Sequence, residues 1–278
     1  MSARTVTRGN ATFSYLEQGT GTPLVLLHGV GSAARSWKHQ LDALSRNLRV
    51  IAWDAPGYGS STALALAEPG AEDYAVALQD FLAALGVDRF HLVGHSLGCV
   101  MAARYARRHP ERILSLTLAS IATGHAQLPA AEREKLRAGR LDDVAALGPR
   151  GMAEKRGPRL LGPHATPENV RAVVETMALI RPDGYTQAVQ MLSNADTPAD
   201  VRALPSDMRV QFIYGDADVI TTPEQNQRVH RKRPGAPVHV LAGAGHACYI
   251  EQPEAFNGLV WRWMGSQGAS RPSWTSRP

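Results

Sequence analysis

Short, unbroken apolar runs alternate along this chain with longer stretches in which apolar residues recur every three or four positions. Leu24-Val25-Leu26-Leu27, Leu48 to Trp53, Phe90 to Val93 and Ile113 to Leu118 are runs of the first kind. Such runs suit strands buried on both faces. Phe13 to Glu17 alternates weakly and predicts an earlier strand, followed by a turn at Gly19-Thr20-Gly21-Thr22-Pro23. Between the runs, Ser36 to Arg46 carries Trp37, Leu41 and Leu44 at helical spacing. Ala71 to Gly86 places Tyr74, Leu78, Phe81, Leu82 and Leu85 on one helical face and stops at a glycine. Leu97 to Arg108 is a third helical pattern. Strands alternating with helices predict an α/β fold: a mostly parallel sheet with helices on both faces.

The rhythm breaks near Ala119. Residues 125–204 show helical spacing and no strand, with punctuation at Gly148-Pro149, Gly157-Pro158, Gly162-Pro163, Pro167 and Pro182. This predicts several short helices forming an insertion within a core made of residues 1–124 and 205–265. The alternation resumes with a strand at Val210 to Tyr214, a helix from Pro223, a strand at Val238 to Leu241 and a helix from Pro253 to Met264. Residues 266–278 are rich in Ser, Pro and Arg and are expected to be disordered.

Composition changes this picture little. The chain has 278 residues, 44% apolar and 20% charged, enough for one large core with an insertion. No apolar run is long enough to span a bilayer, and the first residues lack a secretory apolar segment, so the expectation is a cytoplasmic protein that does not bind membranes. Cys99 and Cys248 make no disulfide framework. The formal charge of +5 comes from scattered arginines. Their one dense cluster, Arg228 to Arg233, ends a predicted helix and reads as a solvated helix end rather than a nucleic-acid patch. Neither H-E-x-x-H nor C-x-x-C occurs, so no metal and no cofactor are expected. The partner is a small-molecule substrate, and a homodimer is left open.

The chemistry concentrates at Gly94-His95-Ser96-Leu97-Gly98, a G-x-S-x-G pattern between a predicted strand and a predicted helix. That context lifts a serine hydroxyl above a sheet edge on a sharp turn. A serine nucleophile needs a base, a group to orient the base, and donors for an oxyanion. His246, in the loop after the last predicted strand, is the candidate base. Asp218, just past another strand, is the candidate orienting acid, with Asp216 as its rival. The order Ser, Asp, His fits this arrangement. The Leu97 N–H, at a helix start, is one candidate oxyanion donor. The loop His28-Gly29-Val30-Gly31 supplies the other, with Val30 favoured.

In this arrangement the chain resembles the α/β-hydrolase family. Leu26-Leu27-His28-Gly29-Val30-Gly31, Asp54-Ala55-Pro56-Gly57-Tyr58-Gly59-Ser60, the Ser96 pentapeptide, Gly215-x-x-Asp218, and Gly245-His246 with Glu251-Gln252-Pro253-Glu254 follow in order over about residues 10 to 265. The resemblance implies an α/β-hydrolase fold, a Ser96/His246/Asp218 triad, oxyanion donors at Val30 and Leu97, and a helical cap over the site. It implies scaffold roles for Asp54 and the turn after it. Thr221-Thr222-Pro223 and the segment from His246 to Pro253 look like 3-oxoadipate enol-lactonases. The layout is also similar to meta-cleavage-product hydrolases, which cleave C–C bonds. Those typically carry tryptophan after the histidine and methionine after the serine, where this chain has Ala247 and Leu97.

Rival readings remain. Gly29-Val30-Gly31-Ser32-Ala33-Ala34 with Asp54 mimics a dinucleotide fingerprint. A catalytically silent ligand-binding member of the fold would keep the same pocket. The favoured reading is a serine hydrolase acting through an acyl-enzyme on an ester or lactone of a small, largely apolar substrate. His28 is expected to brace the oxyanion loop, and Cys248 to lie near the pocket. Met152, Leu160, Leu161, Met177, Ile180, Tyr185 and Met191 suggest an apolar roof. Arg150, Arg156, Arg159 and Arg181 are candidates for recognising a substrate carboxylate.

Overall fold

A computed structural model of the chain describes residues 2–265, so the expected disordered tail at 266–278 lies outside the described residues. In chain order the elements begin with strands β1 (Arg4–Arg8), β2 (Ala11–Gln18) and β3 (Pro23–Leu27). Helix α1 (Lys38–Leu44), β4 (Arg49–Trp53), α2 (Ala71–Ala84), β5 (Phe90–His95), α3 (Leu97–Arg108) and β6 (Ile113–Ala119) follow. Four helices come next: α4 (Ala130–Arg156), α5 (Pro167–Met177), α6 (Pro182–Asn194) and α7 (Thr197–Arg202). The chain then runs through β7 (Val210–Gly215), α8 (Pro223–His230), β8 (Val238–Leu241), α9 (Cys248–Glu251) and α10 (Pro253–Gly265).

The strands form one sheet in the order β1-β2-β4-β3-β5-β6-β7-β8, antiparallel at β1/β2 and β2/β4 and parallel from β4 to β8. Alternate side chains of one strand point to opposite faces. On β3, Val25 and Leu27 enter the core that holds Leu78 and Phe81 of α2 and Val100 of α3. Leu24 and Leu26 enter a second core with Leu41 of α1 and Phe256 of α10. β4 divides the same way, with Ile51 and Trp53 on one side and Val50 and Ala52 on the other. The unbroken apolar runs exist because both faces are covered.

Three sequence expectations change. β1 is an added strand; its exposed, polar residues carry no burial pattern. The helix expected from Ser36 begins as a 3-10 turn over Ala34–Trp37. The insertion is not built of short helices alone, because α4 runs on to Arg156 through a kink where Gly148 takes φ 65° ahead of Pro149. No helix among the described residues is long and apolar enough to cross a membrane.

α3 lies very close to the strand beneath it. A Cβ on Gly98 would sit 2.2 Å from the Leu27 carbonyl oxygen, and one on Gly94 would sit 2.5 Å from the Gly98 carbonyl oxygen. Gly98→Ala should therefore destabilise the fold by roughly 1–3 kcal/mol, the usual range for overpacking. Gly139→Ala on α4, where a Cβ meets nothing within 4 Å, should instead stabilise by up to about 1 kcal/mol. Chemical denaturation of both variants checks this; equal stabilities would refute the close-approach account.

Candidate active site

The C-terminal ends of the parallel strands share one edge, and the candidate residues follow them. Val30 lies just past β3, Ser96 past β5, Asp218 past β7 and His246 past β8. Ser96 has φ 54° and ψ −115°, a left-handed conformation that costs about 1–3 kcal/mol in a non-glycine residue. Its surroundings hold it there: Ser96 N donates to the Ala119 carbonyl at 2.9 Å, and its own carbonyl accepts from Cys99 N at 3.0 Å. Leu97 opens α3, so its N–H has no acceptor four residues back and sits at the positive end of the helix dipole.

The Val30 N–H is aimed through its peptide plane. The Gly29 carbonyl accepts from His28 Nδ1 at 2.8 Å and from Ser32 N at 3.1 Å. A trans peptide points its N–H opposite its C=O, so the Val30 N–H faces the other way. Ala55 N donates to His28 Nε2 at 3.1 Å, which makes Nδ1 the protonated nitrogen. Burial lowers the His28 pKa below its usual 6.5, although Asp54 pulls it up, and the ring stays neutral. Tyr58 Oη donates to the Val30 carbonyl at 2.6 Å and fixes the next peptide. Gly29 permits the approach, because a Cβ there would lie 3.1 Å from Ser96 Cβ.

Asp218 and His246 form a buried pair. His246 Nδ1 donates to Asp218 Oδ2 at 2.8 Å, and Asp218 is fully shielded from solvent at its side chain. Thr221 Oγ1 donates to the same carboxylate oxygen at 2.8 Å and lies 3.1 Å from His246 Nδ1. Ile220 N and Thr221 N both donate to Asp218 Oδ1, at 2.8 and 2.9 Å. Burial pushes the Asp218 pKa up, but His246, the Thr221 hydroxyl and the Thr221 N–H outweigh it and hold it below 3.8. Asp216 instead accepts from Gly243 N at 2.6 Å, tying its own loop to the one before His246.

His95 Nε2 donates to the His246 carbonyl at 2.8 Å, and the two rings lie 4.8 Å apart. Burial and the neighbouring His246 push His95 down to about 3, so it stays neutral. Ser96 and His246 open onto one cavity of about 970 Å³. Among the described residues no hydrogen bond links their side chains; such contacts commonly tighten only with substrate bound.

His95, Thr221 and Asn226 are the residues that sequence reasoning did not assign. Asn226 Nδ2 donates to the Thr221 carbonyl at 2.7 Å, while its Oδ1 accepts from Ile121 N at 2.9 Å. It thereby ties the Asp218 loop to the chain leaving β6. In the sequence Thr221 belongs to the Thr221-Thr222-Pro223 likeness and His95 to the Ser96 pentapeptide, and neither signal carries a role for the residue. Both Asp54 oxygens are engaged, by Ala34 N at 2.8 Å and Ser14 Oγ at 2.6 Å, so none is left for a ribose. Cys99 donates to the Gly94 carbonyl at 3.1 Å, and Cys248 is buried against Ser120, its thiol pushed up to about 12.

Of the expected apolar roof, Met152, Leu160, Met177 and Tyr185 line the cavity. Ile180 and Met191 are buried in the core instead, and Leu161 packs against the second core. Arg150 pairs with Glu175 at 2.9 Å and Arg181 with Asp183 at 2.6 Å, both away from the cavity. Arg156 and Arg159 do line it. The insertion is fastened to the His246 loop, where Ala247 N donates to the Leu160 carbonyl at 2.8 Å. Glu251 bridges Gly162 N at 2.7 Å and Gly245 N at 2.8 Å.

Compared with known proteins, residues 22–253 match the model of the alpha/beta hydrolase fold family. An (E)-2-((N-methylformamido)methylene)succinate hydrolase of Acinetobacter baylyi is 27% identical over 92% of this chain and 95% of its own. A thermophilic esterase from Thermogutta terrifontis, solved with malate bound, superposes with a TM-score of 0.84 at 25% identity, over 95% of this chain and 98% of that one. An enol-lactonase from Burkholderia xenovorans shares the fold, with a TM-score of 0.83 at 20% identity over 95% and 100% of the two chains.

The buried neutral histidines give the fold an acid sensitivity. Burial lowers His28 and His95 as above, and burial with the Arg209 charge lowers His91 to about 4. Unfolded histidine titrates near 6.5, so as pH falls below that the unfolded chain takes up protons that the folded one refuses. The contributions of His91 and His95 are complete above about pH 6.5 and are lost as pH falls toward about 4 and about 3, at up to ~3 kcal/mol per pH unit for two protons, and His28 acts in the same direction. Urea denaturation at pH 7, 6 and 5 should show this fall, and His91→Asn should make the slope shallower by about 1 kcal/mol per pH unit. A flat profile would contradict the neutral assignments.

Proposed function

Since the chain belongs to the α/β-hydrolase fold family, we propose that it is a serine hydrolase that cleaves a carboxylic ester or lactone through an acyl-enzyme. Ser96 is the nucleophile, His246 the base and Asp218 the group that orients it. The observation that carries this reading is the 2.8 Å bond from His246 Nδ1 to a buried Asp218, in the cavity that also holds Ser96 on its strained elbow.

The imidazole reaches across the cavity to accept the Ser96 hydroxyl proton at Nε2 as Oγ bonds to the substrate carbonyl carbon. Asp218 keeps the Nδ1 tautomer in place and stabilises the imidazolium that forms. The carbonyl oxygen becomes an oxyanion facing the Val30 and Leu97 N–H groups; one such donor is typically worth ~3 kcal/mol. Collapse expels the alcohol, which takes the proton from His246. Water then attacks the acyl group with His246 again accepting a proton, and the acid leaves as Ser96 recovers its own.

Residues 125–204 act in this reading as a cap whose inner face selects the substrate, since cavity walls set specificity. The names of the relatives point the same way: an esterase, an enol-lactonase and a hydrolase of a substituted succinate.

A fluorophosphonate probe should label the wild-type protein on Ser96 and leave Ser96→Ala unlabelled. Asp218→Asn should lower kcat for a p-nitrophenyl ester by about 10⁴-fold through the wrong tautomer. Absence of labelling in the folded wild-type protein would overturn the reading and leave a ligand-binding member of the fold.

A further inference from the structure

The cavity carries an excess of positive charge. Six cations line it, Arg140, Arg156, Arg159, Arg202, Arg228 and Lys232, against the carboxylates Glu132 and Asp196. Arg156 is neutralised by Asp143 outside the cavity. Asp196 is engaged with Ala199 N at 3.0 Å and with Gln127. Among the described residues the other five cations have no carboxylate within ion-pair distance.

Their placement is specific. Arg228 lies on α8 and Lys232 one turn later, where Arg231 N still donates to the Gln227 carbonyl at 2.9 Å, so the two share a face. Arg202 ends α7, which packs against α8. This wall begins at Thr221, which bonds to both Asp218 and His246, and passes Gln225 before it reaches the cations. At 1.5 Å per residue, Arg228 and Lys232 stand roughly 9 and 15 Å along the helix from Thr222, and their side chains shorten the gap. Like charges one turn apart repel, and among the described residues no carboxylate lies within ion-pair distance to offset them. A cleft lined by one sign of charge attracts the opposite sign in a ligand.

We propose that Arg202, Arg228 and Lys232 bind a carboxylate carried by the substrate at a distance from the ester or lactone bond cleaved at Ser96. The substrate class is then an anionic ester or lactone, the monoester of a dicarboxylic acid being the simplest form. This rests on the serine hydrolase reading and narrows it: the roof over Ser96 is apolar, while the outer wall is cationic.

The test compares matched esters that differ only in charge. Mono-p-nitrophenyl adipate is set against its methyl ester, and 4-acetoxybenzoate against 4-acetoxybenzamide. These pairs place the carboxylate on the acyl and leaving-group sides in turn. In the wild-type protein kcat/KM for the anionic member of at least one pair should exceed that of the neutral member by about tenfold, two or three exposed ion pairs at up to fivefold each. That ratio should fall as salt is raised from 0.02 to 0.5 M, on the order of the range over which charges are screened. Arg228→Gln with Lys232→Gln should bring the ratio down to about threefold, Arg202→Gln alone should lower it about threefold, and the triple variant should bring it near one. The salt dependence needs no variant, so a misfolded mutant does not block the test. Turnover of the neutral esters with no anionic preference, or a ratio unmoved by salt and by the variants, overturns this inference alone. Failure to turn over any ester overturns it together with the reading it rests on.

Discussion

The backbone of β3, the elbow at Ser96 and the first turn of α3 meet with no room for a side chain between them. Gly98 lies against the Leu27 carbonyl and accepts nothing larger than hydrogen, while Gly29 lies so close to Ser96 that a side chain there would press on it. That contact brings the loop after β3 beside the helix start, as the proposed oxyanion donors Val30 and Leu97 require. The left-handed turn at Ser96 is the cost of this approach. It is repaid by backbone bonds to Ala119 and Cys99, which do not depend on what the serine does. The two apolar cores on either face of the sheet hold the strands flat enough for these contacts to persist.

Electrostatics at the site follows from burial. His28 and His95 stand beside the candidate residues and are desolvated into neutrality, each with one nitrogen bonded to a backbone carbonyl. Asp218 keeps its charge in equal seclusion only because backbone and hydroxyl donors converge on it. The imidazole of His246 is the one in hydrogen-bond contact with that carboxylate. The wall formed by α7 and α8 extends the same logic outward, since among the described residues Arg202, Arg228 and Lys232 have no ion-pair partner.

The insertion between β6 and β7 is joined to the core at the loop that carries His246. Glu251 holds Gly162 and Gly245 with one carboxylate, and the Ala247 N–H is taken up by Leu160. The position of the roof and the position of the imidazole are thus set by the same few bonds. This gives a physical route by which changes in the insertion could alter chemistry as well as specificity.

The apolar runs at Leu24, Val50, Phe90 and Val210 announced buried parallel strands, because only a strand covered on both faces can be apolar at every position. The Ser96 pentapeptide and the order Ser, Asp, His were likewise local signals, legible without coordinates. β1 escaped notice because an exposed edge strand imposes no pattern on its residues. His95, Thr221 and Asn226 escaped because a buried polar side chain acquires its meaning from partners far along the chain, as when His95 meets the His246 carbonyl or Asn226 joins Thr221 to Ile121. Arg228 and Lys232 read as a solvated helix end, and only the folding of α8 beside the insertion turned that end toward the cavity. What the chain determined by itself was therefore the repeating pattern of burial and the local turn at Ser96, both set by neighbours within a few residues. Which charges and hydrogen-bonding groups face one another was decided by tertiary structure, since that depends on distances between segments that share no sequence signal.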